Sequence, residues 1–245
     1  MTLAAAAVRA DPAFFPYTAT YEVIRNGSAI GRVDVSLKRR DDGLWRYRID
    51  SEATAWYLRM LGISTTESAW FQWRGDRLLP LAYHHVAREP GRDRFWQHRY
   101  DWAAGISETR THEGDRNVEL EPGTVDPLTL RLAAVQRIAE QAPAFESFTL
   151  PVLERDEIER QAYRFLRRER IEAAGRCFDS AVFERHRKPG SSRNYTAFHA
   201  ESLDWMPVRI VHDDGKTIAL TLTGWQSGRI SLPPRGDCGP DADTA

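Results

Sequence analysis

The chain has 245 residues, of which 42% are hydrophobic, so it is long enough to bury one sizeable core. Its formal net charge is −1, which excludes a general electrostatic attraction to nucleic acid or to an anionic membrane. No run of residues approaches the ~18 consecutive apolar residues of a transmembrane helix, so we do not expect an integral membrane protein.

The first residues look like the end of a secretion signal. Leu3–Ala7 is apolar, and Val8 and Ala10 suit the small-residue positions of a cleavage site. The charged start of a signal is missing, so residues 1–13 are expected to be either a signal remnant or disordered. We therefore expect a periplasmic or exported protein with one antiparallel β domain over residues 14–230 and a disordered tail over 231–245.

Alternating apolar and polar residues predict β-strands from Tyr17 onwards. Side chains of a strand point to opposite faces with period two, and this alternation favours an antiparallel sheet with one buried face. The Asn26-Gly27 pair predicts a tight hairpin turn. Further strands are predicted over residues 33–37, 45–49, 65–73, 78–86, 95–102, 147–153, 161–168, 177–187, 193–199, 208–212 and 217–223, with turns at 42–43, 74–76, 104–105, 114–115, 189–192 and 213–215.

One segment, residues 127–141, has a helical period instead. Asp126 can cap the helix and Pro127 suits its first position, whereas Ala142-Pro143 ends it. The apolar side chains that recur at helical spacing are Leu128, Leu132, Val135 and Ile138. We therefore predict a mainly β protein with a strongly curved antiparallel sheet, either a partial barrel or two half-barrels, and one amphipathic helix that covers a sheet face.

The sequence contains no motif for catalysis, and we predict no catalytic residue, no metal site and no cofactor. His84 and His85 are adjacent in a predicted strand and point to opposite faces, so they cannot share a metal ion. A cross-strand site with His84 and His98 is an alternative, although a buried core histidine is the simpler explanation for His98.

Aromatic residues are the better indication of a binding site. Around Trp70-Phe71-Gln72-Trp73 both faces of the predicted strand carry aromatic rings. The rings on one face can belong to the core while those on the other line a ligand cavity. The alternative is that both faces are covered by core. The segment Trp56–Ile63 breaks the alternation and is predicted to be an apolar loop or short helix at the mouth of a cavity. The candidate ligand-binding residues are Trp70, Trp73, Trp96 and Tyr100.

The chain has two cysteines, Cys177 and Cys238, whose number and spacing fit no metal motif. In an oxidising compartment they can form a disulfide that ties down the C-terminal tail. Two independent thiols are the alternative.

The order of several motifs resembles bacterial exported proteins grouped as domain of unknown function 3108. The likeness extends from about Phe15 to Trp225. It implies an exported or periplasmic antiparallel β protein with a curved sheet like that of the lipoprotein carriers, and it implies no activity. The motifs that carry it are Tyr17–Gly31 with its Asn26-Gly27 turn, Val125-Asp126-Pro127-Leu128, Ala162–Arg168, Leu203–Ile210 and Asp214-Gly215.

These observations lead to one functional hypothesis and two alternatives. The first is non-catalytic binding of an amphipathic envelope ligand, a lipid, lipopeptide or glycan, in a concave β cavity. An enzyme acting on an envelope polymer would instead need two carboxyls, or a histidine and a carboxyl, to converge in a cleft. A structural module would add an exposed edge strand to an envelope protein partner.

Overall fold

The computed structural model describes residues 14–74, 77–187, 194–213, 217–236 and 238. Within these ranges the helices are α1 (Trp56–Arg59) and α2 (Thr129–Gln141), with a 3₁₀ turn at Glu201–Leu203. The strands before α2 are β1 (Tyr17–Arg25), β2 (Ser28–Arg39), β3 (Trp45–Ala53), β4 (Ser64–Arg74), β5 (Arg77–Glu89), β6 (Arg92–Asp101), β7 (Ile106–Thr111) and β8 (Gly114–Glu119). Those after α2 are β9 (Phe148–Glu154), β10 (Glu157–Ala173), β11 (Arg176–His186), β12 (Asn194–Ala200), β13 (Met206–Asp213) and β14 (Ile218–Ser227).

All of these strands form one antiparallel sheet of 14 strands, in the order β8-β7-β6-β5-β4-β3-β2-β1-β14-β13-β12-β11-β10-β9. Strands that follow each other along the chain pair with each other, except β8 and β9, which form the two edges of the sheet. In addition β1 pairs with β14, from Tyr17 opposite Ser227 to Arg25 opposite Ile218. The first and last strands therefore meet in the middle of the sheet. The two halves of the chain are joined by the segment that carries α2.

Local sequence explains how the strands begin and turn. In β1 the side chains of Tyr17, Ala19 and Tyr21 are buried and those between them are not, as the alternation predicts. Asn26 and Gly27 have φ angles of 49° and 77°, the positive values that a two-residue hairpin turn with right-handed strand twist requires.

The sheet curls until its two edges approach each other, but it does not close into a barrel. Arg116 of the edge strand β8 forms a 2.6 Å ion pair with Asp156, which follows the other edge strand, β9. Val125 forms a parallel bridge with Val152 of β9, and its N–H donates to the carbonyl of Pro151 over 3.0 Å. The segment that leads into α2 thus covers part of the β9 edge.

Helix α2 lies inside the curled sheet and packs against β5 and β9. The Asp126 carboxylate accepts hydrogen bonds from the N–H groups of Leu128 and Thr129, at 2.9 and 2.7 Å, which confirms the predicted cap. The side chain of Thr129 accepts in turn from the Asp126 N–H over 3.1 Å. The buried residues of the helix are Thr129, Leu130, Leu132, Ala134, Val135 and Ile138.

The predicted fold class, a strongly curved antiparallel sheet with one amphipathic helix, is confirmed. It is a single continuous sheet rather than two half-barrels, and α2 begins at Thr129, two residues after the predicted start. The apolar segment after β3 forms the single turn of α1. Predictions for residues 1–13, for the turns at 75–76, 189–192 and 214–215, and for the tail at 237 and 239–245 lie outside the described residues.

The C-terminal segment returns to the sheet after β14. Ile230 and Leu232 pack against the core, and the indole N–H of Trp225 donates to the carbonyl of Ile230 over 3.0 Å. A disulfide joins Cys177, in β11, to Cys238. No helix among the described residues has the length and apolar character needed to cross a bilayer.

Asp126 gives a pH-dependent prediction. Burial raises its pKa to about 7, against the opposing effect of the N–H groups of Thr129 and Leu128, whereas an unfolded aspartate titrates near ~3.9. The folded protein therefore holds a proton that the unfolded chain has released, so stability falls as pH rises from about 4 to about 7. Asp126→Asn keeps the capping oxygen and cannot ionise, so its free energy of unfolding should exceed the wild-type value above pH 7, on the order of a few kcal/mol.

Urea denaturation of both proteins between pH 4 and pH 8 measures this difference. Asp34→Asn is the control, because the Arg32 guanidinium holds the pKa of Asp34 below its usual value. Asp34 is therefore ionised in both the folded and the unfolded protein over most of this range, so the stability difference between that variant and the wild type should stay nearly constant above about pH 5. A constant difference between wild type and Asp126→Asn across the range would contradict the buried, elevated pKa.

The disulfide gives a second prediction. It closes a loop with a sequence separation of 61 residues, which restricts the unfolded chain. The double variant Cys177→Ser/Cys238→Ser should lose about 2–4 kcal/mol of stability. Thermal unfolding with and without dithiothreitol tests this, because the reductant should lower the wild-type melting temperature to that of the variant and leave the variant unchanged. Equal melting temperatures of the oxidised wild type and the variant would contradict a stabilising crosslink.

Candidate ligand-binding cavity

The sheet and helix α2 enclose an apolar cavity of about 170 Å³, which we call the inner chamber. Inward positions of β1–β3 form one wall and those of β10–β14 form the other, because alternate side chains of each strand face α2. Its apolar lining includes Val33, Val35, Ala134, Ala197, Ile210 and Leu220.

Four tyrosines from four different strands add hydroxyl groups to this lining, namely Tyr21, Tyr47, Tyr163 and Tyr195. The Tyr21 hydroxyl donates to the carbonyl of Pro207 over 2.7 Å. Burial raises the pKa of Tyr21, Tyr47 and Tyr163 above the ordinary value of a phenol. These three hydroxyls therefore remain protonated at neutral pH and can donate hydrogen bonds.

Arg131 brings a cation from α2 into the chamber. It follows Leu128 by three residues and precedes Val135 by four, so helical geometry places it on the buried face. Burial lowers its pKa, but Glu67 together with Tyr47, Tyr83 and Tyr163 outweighs this effect and holds the pKa above its ordinary value. Among the described residues no carboxylate forms an ion pair with Arg131.

Arg185 of β11 contributes the second cation. Its guanidinium lies over the ring of Tyr195, 4.3 Å from the ring centre. The Tyr195 ring in turn stacks on the imidazole of His212, in the adjacent strand β13. Burial lowers the pKa of His199 to about 4, so that imidazole is neutral at physiological pH. No described acidic residue lines the inner chamber, whose charged groups are thus the two guanidinium ions of Arg131 and Arg185.

A second cavity of about 170 Å³, the mouth cavity, shares Arg131, Arg185 and Tyr195 with the inner chamber. It is more open and more polar, and Glu67 and His85 lie in its wall. These two residues are opposite each other on β4 and β5, a few residues from the strand ends that adjoin α1. The two cavities therefore adjoin each other, and the mouth cavity lies toward the end of the sheet that carries α1.

Glu67 is the most strongly held acid of the mouth cavity. Its carboxylate accepts a 2.7 Å hydrogen bond from the Tyr83 hydroxyl and lies 3.7 Å from Nδ1 of His85. Burial raises the pKa of Glu67, but His85, Arg131 and Tyr83 together lower it to about 2. The imidazole of His85 in turn stacks on Trp96, with ring centres 3.7 Å apart.

The Glu67–His85 pair is the histidine-and-carboxyl convergence that the enzyme hypothesis requires, so its chemistry matters. A carboxylate with a pKa of about 2 is a weak general base at neutral pH, because efficient bases titrate near the working pH. The described lining of the mouth cavity contains no serine, threonine or cysteine that could act as a nucleophile. Glu67 and His85 thus form a charged wall of the mouth cavity, which also contains Glu154, an acid whose pKa is raised by burial.

A third cavity, of about 640 Å³, opens at the opposite end of the sheet beside the C-terminal half of α2. Trp102, Arg137 and Glu140 are among its lining residues. It is more open than the inner chamber, and it shares no residue with it.

The four rings predicted from the sequence lie in different places. Trp96 lines the mouth cavity beside His85. Trp73 stacks on Phe14, and Tyr100 is buried beside Trp102, so neither lines the three cavities described above. Trp70 lies on the outer face of the sheet, where it contacts Arg46 and His84. The role of these four side chains in ligand binding remains a prediction.

His84 and His98 lie on opposite faces of the sheet, which argues against the cross-strand metal site. His84 packs against Trp70 outside, whereas His98 is 1% exposed and stacks on Tyr83 inside. Burial lowers the pKa of His98 to about 3, as for a neutral core imidazole. Within the described part of the chain, no three His, Cys, Asp or Glu side chains are grouped so that they could hold a metal ion.

The two edge strands of the sheet determine whether the protein could pair an exposed strand with an envelope protein partner. The exposed edge strand β8 carries Asp115, Arg116 and Glu119, and charged edge residues discourage pairing with another strand. At the other edge, Val125 already occupies hydrogen-bonding groups of β9. Neither edge therefore suits the addition of a strand from a partner.

Arg131 and Arg185, the two cations of the chamber, are not among the binding residues predicted from the sequence. Arg131 could have been found from its spacing to Leu128 and Val135, which places a charge on the buried face of the helix. Arg185 lies two positions after Phe183, on the same inner face of β11. The sequence around it gives no sign that the residues packed against this face leave a cavity.

The fold and the cavities define a mainly antiparallel β protein with a central helix and an apolar chamber lined by two arginines. The model of the family described as "Protein of unknown function (DUF3108)" matches residues 16–223, and the chain belongs to this family, which confirms the resemblance drawn from its motifs.

The chain is similar to the crystal structure of a beta-barrel-like protein of domain of unknown function DUF1849 from Brucella abortus. The TM-score is 0.55 at 10% sequence identity, covering 87% of this chain and 98% of the other, and this likeness shows the fold alone. A crystal structure of MucB aligns with a TM-score of 0.35 at 11% identity, over 90% of this chain and 56% of MucB, which is too low to support an argument. The comparison with curated proteins gives no match.

Proposed function

We propose that this protein binds an amphipathic ligand with an anionic head group, in the manner of a carrier. The apolar chain of the ligand would occupy the inner chamber, and its acidic group would pair with Arg131 and Arg185. The observation that carries this proposal is the charged guanidinium of Arg131, which reaches an apolar chamber and has no ion-pair partner there.

Burying a charge is costly unless an opposite charge or hydrogen bonds compensate for it. An anionic ligand group supplies both, and the hydroxyls of Tyr47 and Tyr163 are additional donors in the same lining. The mostly apolar walls favour an acyl chain over a glycan, because a sugar ring needs many more polar partners. The two adjoining cavities, each about 170 Å³, suit one chain with its head group better than a bulky polycyclic ligand.

An oxidising compartment fits the same proposal. The Cys177–Cys238 disulfide is a bond that persists in secreted and periplasmic proteins and is rare in the cytosol. We therefore propose a periplasmic or exported protein whose ligand is a lipid or lipopeptide of the cell envelope.

The first test of the proposal is to fill the chamber. Ala197→Phe places a ring among the lining residues and should weaken the binding of oleate, followed by isothermal titration calorimetry, at least about tenfold, since several kcal/mol of chain burial is lost. Thr196→Phe is the matched control, because it places the same ring on the opposite face of β12 and should leave the affinity unchanged. Equal oleate affinity of Ala197→Phe and the wild type would refute binding in the chamber.

The second test addresses the head group. Arg131→Met keeps the length of the side chain and removes its charge, so oleate should bind about 10- to 100-fold more weakly, the usual effect of losing a charged hydrogen bond. Oleyl alcohol has the same chain and no charge, and its affinity should not fall. Arg137→Met, an exposed position of the same helix, is the control. Parallel losses for the acid and the alcohol would contradict the role assigned to Arg131.

A further inference from the structure

The large exposed apolar side chains of the described residues all lie in one short segment between β3 and β4. Trp56, Tyr57, Met60 and Leu61 have 73%, 50%, 79% and 50% of their surface exposed, respectively. We call residues 56–61 the apolar tip. A contiguous exposed apolar patch on a water-soluble fold marks an interaction surface.

The apolar tip projects from a well-anchored base. The N–H groups of Thr54 and Ala55 donate to the carbonyl of Ile30, at 3.0 and 3.3 Å, and fix the segment to β2. No residue of α1 is buried, and the Trp56 ring contacts the ring of Tyr57, 6.0 Å away edge to face. The tip therefore contributes nothing to the core of the protein.

The composition of the tip fits the surface of a lipid bilayer. Trp and Tyr have an apolar body and a polar group, and both are enriched where hydrocarbon meets head groups. Residues 53–66 contain no acid and one charged residue, the exposed Arg59. A lone cation beside apolar side chains complements anionic lipid head groups, although the net charge of the whole chain is −1.

Size argues against a protein partner for the same patch. A standard protein interface buries ~800 Å² on each partner, usually with 20–30 residues. A single projecting helical turn offers far less contact surface, whereas shallow insertion into a bilayer needs only a few large side chains.

The position of the tip relative to the cavities adds a second, independent observation. The tip joins the end of β3 to the start of β4 at Ser64, and Glu67 of the mouth cavity lies three residues further along. Trp96 and Arg187 of the same cavity also lie near the strand ends on this side of the sheet. The mouth cavity and the apolar tip therefore belong to the same end of the molecule.

We propose that the apolar tip inserts into the head-group region of a bilayer that contains anionic lipid, and so holds the mouth cavity against the membrane. Membrane docking itself does not require a ligand in the chamber. Its consequence, transfer of a lipid between bilayer and chamber, rests on the proposed function.

Vesicle flotation with the full chain tests the docking. The wild type should float with vesicles of phosphatidylcholine and phosphatidylglycerol, and less with phosphatidylcholine alone. Trp56→Ser/Met60→Ser should lower the partition coefficient at least about tenfold, because two large side chains no longer enter the interface. Arg59→Glu should lower it about fivefold or more on anionic vesicles only, whereas Arg170→Glu, at the opposite end of the sheet, should have little effect.

The two proposals fail separately. Ala197→Phe should lose oleate and still float, and Trp56→Ser/Met60→Ser should bind oleate and no longer float. Failure of the wild type to float with anionic vesicles overturns the docking proposal, as does equal flotation of the wild type and the double variant. A dimer that the double variant converts to a monomer in sedimentation, with no flotation, would assign the tip to a protein contact instead.

Discussion

A sheet of fourteen strands can bury one face only if it curls, and helix α2 is the element around which it curls. The Asp126 carboxylate fixes the start of this helix by accepting two backbone N–H groups where the chain enters the sheet interior. The 13 residues of α2 span about 20 Å, whereas the 12 residues of β2 span about 40 Å. One helix therefore cannot cover the whole inner face, and the space that it leaves is the inner chamber.

Much of this architecture is readable from the sequence, because strand alternation and helix capping are local signals. The Asn26-Gly27 turn, the Asp126 cap and the alternation in β1 each specify structure within a few residues. The alternation of residues along the sequence does not show how far a sheet curls, since curvature depends on side chains that meet only in the folded state. For that reason the edge contact between Arg116 and Asp156 had no signal in the sequence.

The site was harder to predict than the fold for the same reason. The predicted binding residues lie between Trp70 and Tyr100 in the sequence, yet the inner chamber is lined largely by β10–β14 and by α2. Trp70 and Trp73 differ by three positions in one strand, so they point to opposite faces, and only the three-dimensional structure shows what each face meets. Arg131 breaks the apolar pattern of its helix, and such local exceptions are common where a fold serves a binding function.

The electrostatics of the two cavities fit together around Arg131. Glu67 helps to hold the pKa of Arg131 high from the mouth cavity without forming an ion pair with it, so the guanidinium is charged but still has hydrogen-bond donors to offer. Glu67 is itself held ionised by the nearby His85 imidazole, by Arg131 and by the hydrogen bond that it accepts from the Tyr83 hydroxyl. The acid thus stabilises the cation from outside the chamber. Inside the chamber, protonated tyrosine hydroxyls and the two guanidinium groups provide hydrogen-bond donors beside an apolar space. This arrangement is complementary to a single anionic group on an apolar chain.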